Sequence, residues 1–395
     1  MKKKFSVLFF SLLISAILLS YNFKTNNVFA SDKSFEVSSK SAYLVNYETG
    51  SVVFKKNELE HLPIASMCKV MTLVLCFENL ENGNISLEQD VLISNNASSM
   101  GGSQVFLEEN NTYKVKDLIK SITIASANDA CVAMAELICG SESNFVSLMN
   151  EKSVELHMEN TNFVNCTGLP KSGQYSCAKD VATMFSALLS YSDYYNFSNI
   201  WIDKIYHSEE KFTQISNTNK LIRFYDGCDA GKTGFTSEAG HCLVASAKRN
   251  DMRMISVVIN SPDSKTRFKE VSDMFNYSFN NYELKKIIDS NNPLDFCCEN
   301  IKGAKEDKLN IKTSEDFYVF SLKNKKHAFD YDYKVLSNLK APININDKVG
   351  ELRIFENGVN IKNIDLLAAN CISKRSYSDS LNDVIKNWII WMISA

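Results

Sequence analysis

The sequence predicts an α+β protein: an antiparallel sheet with a helical cluster packed against it, followed by a small C-terminal β domain. Two observations carry this. Strand-like segments open and close a unit ending near residue 285, while helical patterns fill its middle. A sheet covered by helices is the economical layering for that order. Beyond about residue 290 the chain turns to short alternating runs such as FYVFSL and VGELRIF, with polar turns at Asn357-Gly358, which read as a separate β domain. The chain has 395 residues, 45% of them apolar, enough for two or three domains with a sizeable core.

The first element is not part of that fold. Lys2, Lys3 and Lys4 precede the apolar run FSVLFFSLLISAILLSY, and a polar spacer leads to Val28-Phe29-Ala30. This describes a secretory signal peptide over residues 1–30, cut after Ala30 rather than kept as an anchor. Its loss removes four lysines and no acid, taking the formal net charge from −3 to −7. Such a chain lacks a basic nucleic-acid footprint, so no nucleic-acid partner is expected.

SAYLVNYETGSVVFKKN then reads as two strands around a turn at Glu48-Thr49-Gly50. From Ala65 to about Leu80 the pattern is apolar nearly all round, the mark of a buried helix, with Pro63 just upstream. Residues 112–140 read as two helices broken near Ser126-Ala127-Asn128-Asp129, where Asn and Asp suit a new N-cap; Gly140 closes the second. Helices follow over Glu142–His157 and Ala178–Tyr191. Residues 229–260 form a meander of at least three strands, with a turn at Asn250-Asp251, and 264–283 return to helix.

The chain ends in SLNDVIKNWIIWMISA. Its apolar cluster is shorter than the ~20 residues that span a bilayer. With Lys386 and two tryptophans beside it, residues 376–395 are expected to form an amphipathic membrane anchor rather than a helix docked on the protein.

The eleven cysteines do not suggest a disulfide framework. Their number is odd, and Cys76, Cys131 and Cys139 sit in apolar helical contexts, where cysteine acts as a small buried hydrophobe. There is no C-x-x-C and no H-E-x-x-H, and the five histidines are scattered, so neither a metal nor another cofactor is expected.

Four S-x-x-K matches occur, at Ser66, Ser176, Ser208 and Ser337. Only Ser66-Met67-Cys68-Lys69 starts a buried helix. There i, i+3 spacing puts both side chains on one face, and a desolvated lysine loses basicity and becomes able to take a proton from the serine. Ser126-Ala127-Asn128 lies at the helix break, and Lys232-Thr233-Gly234 is the only K-T-G in the sequence and sits on a strand. Asn128 can donate to and accept from an amide, Lys232 is a fixed charge, and Gly234 lets a substrate backbone approach. S-x-x-K, S-x-N and K-T-G in that order, each in a suitable element, make a strong signal.

This constellation resembles the penicillin-recognising serine enzymes, and among them the D-alanyl-D-alanine carboxypeptidases, the low-molecular-weight penicillin-binding proteins. The resemblance runs over residues 35–283 through PIASMCKVMT, LIKSITIASANDACVAMAE and GKTGFTSEAGHCLVASAKR, and continues in the small β domain at 341–370. It implies a catalytic domain over 31–285, a β domain over 290–370, and an exported enzyme held at the outer face of the cell membrane. Peptidoglycan stem peptides would be its substrates and β-lactam antibiotics its covalent inhibitors. By the same resemblance Ser66 attacks the carbonyl of the penultimate D-alanine and Lys69 activates it. Ser126 passes a proton to the leaving amine, and Asn128 holds the substrate amide. Lys232 supports the proton network, Thr233 binds the terminal carboxylate, and the N–H groups of Ser66 and Phe235 form the oxyanion hole beside Gly234. Arg267 would assist with the carboxylate.

Cys68 is read as packing. Thr167 and His157, which stand where the family often has other residues, are expected to touch no catalytic role. His61 is read as an exposed turn residue. The alternatives are a β-lactamase or DD-endopeptidase of the same fold, or a silent cell-wall-binding homologue. The E-x-x-L-N motif of class A β-lactamases is matched only at Glu306–Asn310, after K-T-G, where it cannot serve the usual arrangement.

Overall fold

The structure, a computed structural model, describes residues 35–299 and 301–394. The signal-peptide reading falls on residues 1–30, outside the described residues. The chain divides into two units, Met1–Glu36 and Val37–Ala395, and every described strand and helix belongs to the second.

A five-stranded antiparallel sheet is built from β1 (Ser41–Asn46), β2 (Val52–Lys56), β3 (Cys228–Thr236), β4 (Gly240–Arg249) and β5 (Met252–Ser261), in the order β2-β1-β5-β4-β3. The predicted meander is thus β3-β4-β5, and the N-terminal hairpin joins it through β1, with Leu44 opposite Ser256. Asn250 takes a positive φ of 53° in the β4–β5 turn. β1 and β5 are buried at nearly every position, so both sheet faces are covered. β3 ends the order and leaves one edge unpaired within the sheet.

The longer helices around this sheet are α1 (Lys69–Glu81), α2 (Val115–Ala125), α3 (Asn128–Cys139), α4 (Glu142–Glu155), α5 (Ala178–Leu189) and α6 (Ser264–Asn281). α5 packs on β1 and β5, α6 on β4 and β5, and α1 lies among α2, α3 and α5. That central place explains its all-round apolar pattern: Lys69 to Phe77 are all buried. Ahead of it Ala65–Cys68 form a tighter 3₁₀ turn, entered through Ala65 at φ 46°. The α2–α3 break differs from expectation in detail. Ser126 adopts the left-handed conformation, φ 62°, and the N-cap of α3 is Ala127, which has no capping side chain. Asn128 and Asp129 are first-turn residues instead. The Asp129 carboxylate accepts the N–H groups of Ala130, Val105 and Leu107, so it ties α3 to the preceding loop.

α6 runs directly into β6 (Tyr282–Ile288), which pairs with β8 (Phe317–Leu322). β structure therefore begins ahead of residue 290. The exposed lysines of β6 hide its alternation, while the Tyr282 and Phe320 rings stack at 4.9 Å. The larger C-terminal sheet joins the short strand Cys297–Glu299, β7 (Lys308–Thr313), β11 (Val359–Ala368), β10 (Lys348–Glu356) and β9 (Phe329–Val335), in that order. One face supplies a separate core that includes Leu309, Ile311, Leu352, Ile354 and Leu366. The last helix, α7 (Tyr377–Ser394), leaves Leu381, Val384, Trp388, Ile389 and Ile390 exposed. Among the described residues no helix is long and apolar enough to cross a membrane.

Candidate active site

Ser66 sits in the second position of the 3₁₀ turn and Lys69 opens α1. One turn apart, they meet: Lys69 Nζ lies 3.0 Å from Ser66 Oγ. Lys69 is completely buried, and burial, first among the causes, lowers its pKa from the ordinary lysine range. Its second partner is the main-chain carbonyl of Thr167 at 2.5 Å. A carbonyl only accepts, so one N–H is committed there, and a neutral amine then has a lone pair free to accept the Ser66 proton. Thr167 was expected to have no part in the site; its main chain has one, while its hydroxyl donates to Asn165 Oδ1.

The loop carrying that carbonyl is built by Asn165. Its Oδ1 accepts the N–H groups of Thr167 and Gly168, and its Nδ2 donates to Leu169 O. Gly168, at φ +79°, lies so close to Ala65 and Ser66 that a Cβ would fall 2.0 Å from Ala65 O. Only glycine meets both demands. Cys68 donates its thiol to Asn165 O, and its pKa is pushed up by burial, which agrees with a packing role. Cys131 and Cys166 are buried nearby, and burial likewise holds both as neutral thiols.

The second motif faces the third. Lys232 Nζ donates to Ser126 Oγ at 2.7 Å and to Thr233 O at 3.2 Å. Lys232 is buried too, and its pKa is driven well down by burial and then by the positive charge of Lys69. Left-handed Ser126 is a non-glycine residue held in a costly conformation, a feature that gathers at functional sites. Asn128 Nδ2 donates to Gly101 O at 2.7 Å, which leaves its buried Oδ1 without a partner. Gly234 passes against Ile64–Ser66: a Cβ there would lie 2.7 Å from Ile64 O and 3.2 Å from Ser66 N. β3 can approach the nucleophile this closely only without a side chain.

Thr233 is buried beside Lys232. Phe235 is 58% exposed, and its ring stacks on His241 at 4.4 Å. The Arg267 guanidinium is buried, with Nη1 donating to the carbonyls of Gly234 (3.0 Å) and Cys242 (3.2 Å), so it braces β3 from behind the motif. His61 is exposed, stacked on Tyr175 and bonded to Asn160. Glu306 lies in the C-terminal β region and accepts the N–H of Ser373. Ser176, the first residue of another S-x-x-K match, is buried and bonded to Thr161. Sequence reasoning missed Asn165, Gly168 and Asp129. The spacing Asn165-x-x-Gly168 is a local turn signal that could have flagged the first two.

A half-buried serine against a buried lysine, a second serine bonded to a second buried lysine, and an open strand edge beside them define a serine hydrolase that works by acyl transfer. A profile of the D-alanyl-D-alanine carboxypeptidase family matches residues 26–263, and one of the penicillin-binding protein 5 C-terminal domain matches residues 282–374. The chain belongs to the D-alanyl-D-alanine carboxypeptidase family. It is similar to the D-alanyl-D-alanine carboxypeptidase DacF of Bacillus subtilis, 38% identical over 350 residues that span 88% of this chain and 90% of that one. Among solved structures it resembles penicillin-binding protein 5 of Haemophilus influenzae (TM-score 0.72, 27% identity, 87% of this chain, 100% of that chain). It also resembles penicillin-binding protein D2 of Listeria monocytogenes in its ampicillin-bound form (TM-score 0.56, 27% identity, 62% of this chain, 98% of that chain).

Proposed function

We propose that this protein removes the terminal D-alanine from peptidoglycan stem peptides through an acyl-enzyme on Ser66. The observation that carries the reading is Lys69: fully buried, 3.0 Å from Ser66 Oγ, and donating a hydrogen bond to a main-chain carbonyl. In this reading Ser66 Oγ attacks the carbonyl of the penultimate D-alanine while its proton passes to Lys69. Negative charge on the carbonyl oxygen is met by the N–H groups of Ser66 and Phe235. As the C–N bond breaks, Ser126, hydrogen-bonded to Lys232, gives its proton to the leaving amine and recovers one from Lys69, which returns to the neutral amine before the next step. Water then attacks the ester, giving a proton to Lys69, and Ser66 is released with its own proton restored. Asn128 Oδ1 accepts the substrate amide N–H. Thr233 receives the terminal carboxylate, while Arg267 acts from behind β3 by fixing Gly234 and adding positive charge.

The test is a fluorescent penicillin followed by a denaturing gel, run beside D-alanine release from a stem pentapeptide. The wild type should label and release D-alanine; Ser66→Ala should do neither, with turnover down by at least about 10⁴-fold. A label that survives Ser66→Ala sinks the assignment. Because the only E-x-x-L-N carboxylate sits in the C-terminal β region, the penicilloyl-enzyme should be long-lived. Rapid β-lactam turnover would instead support the β-lactamase alternative, and cleavage of cross-linked peptides the endopeptidase one.

Export by the residue 1–30 segment and attachment to the outer membrane face by α7 belong to the same proposal. The exposed apolar residues of α7 support it. Deleting residues 376–395 should abolish sedimentation with anionic vesicles and leave penicillin labelling intact.

A further inference from the structure

The second motif rests on an irregular loop. Asn128 donates its N–H to Ser103 O and its Nδ2 to Gly101 O, each at 2.7 Å, and Asp129 holds the N–H groups of Val105 and Leu107. Between those two held groups Phe106 takes φ 63° and is 60% exposed. A non-glycine residue keeps that costly conformation only where its surroundings impose it.

One neighbour able to impose it is a hairpin, Ile202–Tyr206 paired with Phe212–Ser216. Just past its foot, Thr218 N donates to Ile124 O, two residues before Ser126. Its tip meets the loop twice. The Lys211 ammonium pairs with Glu108, and His207 Nδ1 lies 2.8 Å from Tyr113 Oη at the end of the loop. The protons of the second contact follow from its partners. Tyr113 Oη accepts the Glu108 N–H, so its own proton goes to Nδ1, and Nε2 carries the ring N–H and donates to Thr213 Oγ1 at 2.8 Å. The contact therefore needs a neutral imidazole. An imidazolium donates from both nitrogens and sets Nδ1–H against the tyrosine proton. The charged groups facing the ring are Glu108, Lys211 and Asp129. Glu108 is already engaged by Lys211 and Asn111, and Asp129 by main-chain N–H groups. Burial, the leading cause, holds the His207 pKa below the ordinary histidine value, so the ring is neutral at pH 7.

We propose that His207 and Tyr113 are positioning residues for the second motif: their hydrogen bond splints the loop on which Asn128 rests, and protonation of His207 opens the splint. The inference rests on acylation at Ser66, which supplies its readout. Acylation then loses, in mild acid, a contribution that titration of Lys69 does not account for.

The experiment measures the second-order rate of fluorescent-penicillin labelling of the full-length protein from pH 5 to pH 8. Each variant is read as its ratio to the wild type at the same pH, which cancels the titration of Lys69. Tyr113→Phe removes the donor. Its ratio should be about one-fifth at pH 8, the scale of one lost hydrogen bond, and rise to about one at pH 5, where the wild-type contact is already broken. His207→Asn keeps an acceptor near the place of Nδ1 but does not titrate. Its ratio should be about one at pH 8 and climb to about five at pH 5. A bond that only stabilises the fold would lower the rate by one factor at every pH. A Tyr113→Phe ratio that stays flat across the series, or a His207→Asn rate that tracks the wild type at every pH, overturns the splint. Absence of wild-type labelling at every pH overturns the Ser66 reading and the splint with it.

Discussion

In the cleft, Lys69 and Lys232 are buried, and neither has a carboxylate partner among the described residues. In the C-terminal β region, Lys286, Lys308, Lys348 and Lys362 pair with Asp316, Glu299, Asp365 and Glu315 in partly exposed positions. The same residue type does opposite work in the two places. Beside a carboxylate the ammonium is favoured, and Lys286 is accordingly more basic than an ordinary lysine. In a dry site without an acid the charge is disfavoured, and the amine is ready to accept a proton. Placement, more than residue identity, sets how basic a lysine is.

The largest expected effect comes from removing the proposed base, Lys69, while keeping the packing. Lys69→Met should slow penicillin acylation by about 10²–10⁴-fold, the usual contribution of general-base catalysis. It should also leave the melting temperature unchanged or higher, since an apolar chain suits a dry site better than an amine. The pH dependence carries the same signature. Lys69 and Lys232 have lowered pKa values in the folded protein, so between those values and the ordinary lysine value the unfolded chain binds more protons. Stability should therefore rise with pH across that interval. Lys69→Met should flatten the slope, as read by denaturant melts over a pH series.

Gly168→Ala comes next. A Cβ there meets Ala65 O at 2.0 Å in a backbone conformation that alanine resists. Shifting this loop moves the Thr167 carbonyl, and labelling should fall by about 10²-fold with Lys69 and Ser66 still present. Stopped-flow acylation checks this. In the β region, Leu352→Ala removes a fully buried core side chain and should cost about 2–5 kcal/mol of that region's stability, with labelling at the wild-type rate. The smallest effect is Asp365→Asn, which breaks the half-exposed pair with Lys348. Thermal melts of this variant should superimpose on those of the wild type.

The same contrast explains what was legible in the sequence. Ser66, Lys69, Ser126, Asn128, Lys232, Thr233 and Gly234 could be named because this chemistry needs particular side chains at particular spacings. The structure brings Ser66 to Lys69 and Ser126 to Lys232. The β3-β4-β5 meander and the buried α1 were legible through hydrophobic period. The Thr167 carbonyl was not, because every residue has a carbonyl and its position depends on how Asn165 and Gly168 turn the loop. The first strand of the β region was blurred for another reason: Lys285, Lys286 and Ile287 are exposed in succession, so no buried–exposed alternation marks it.

The hydrogen bond from Lys69 to Thr167 also has a meaning in time. The S-x-x-K pair is complete as soon as residue 69 exists, but the carbonyl to which its lysine donates comes 98 residues later in the chain. Until that loop docks, Lys69 stands in water as an ordinary cation and Ser66 is an ordinary alcohol. An unfolded chain therefore carries every motif and no nucleophile. The acylating power of this protein reports that some hundred residues of chain have found their place.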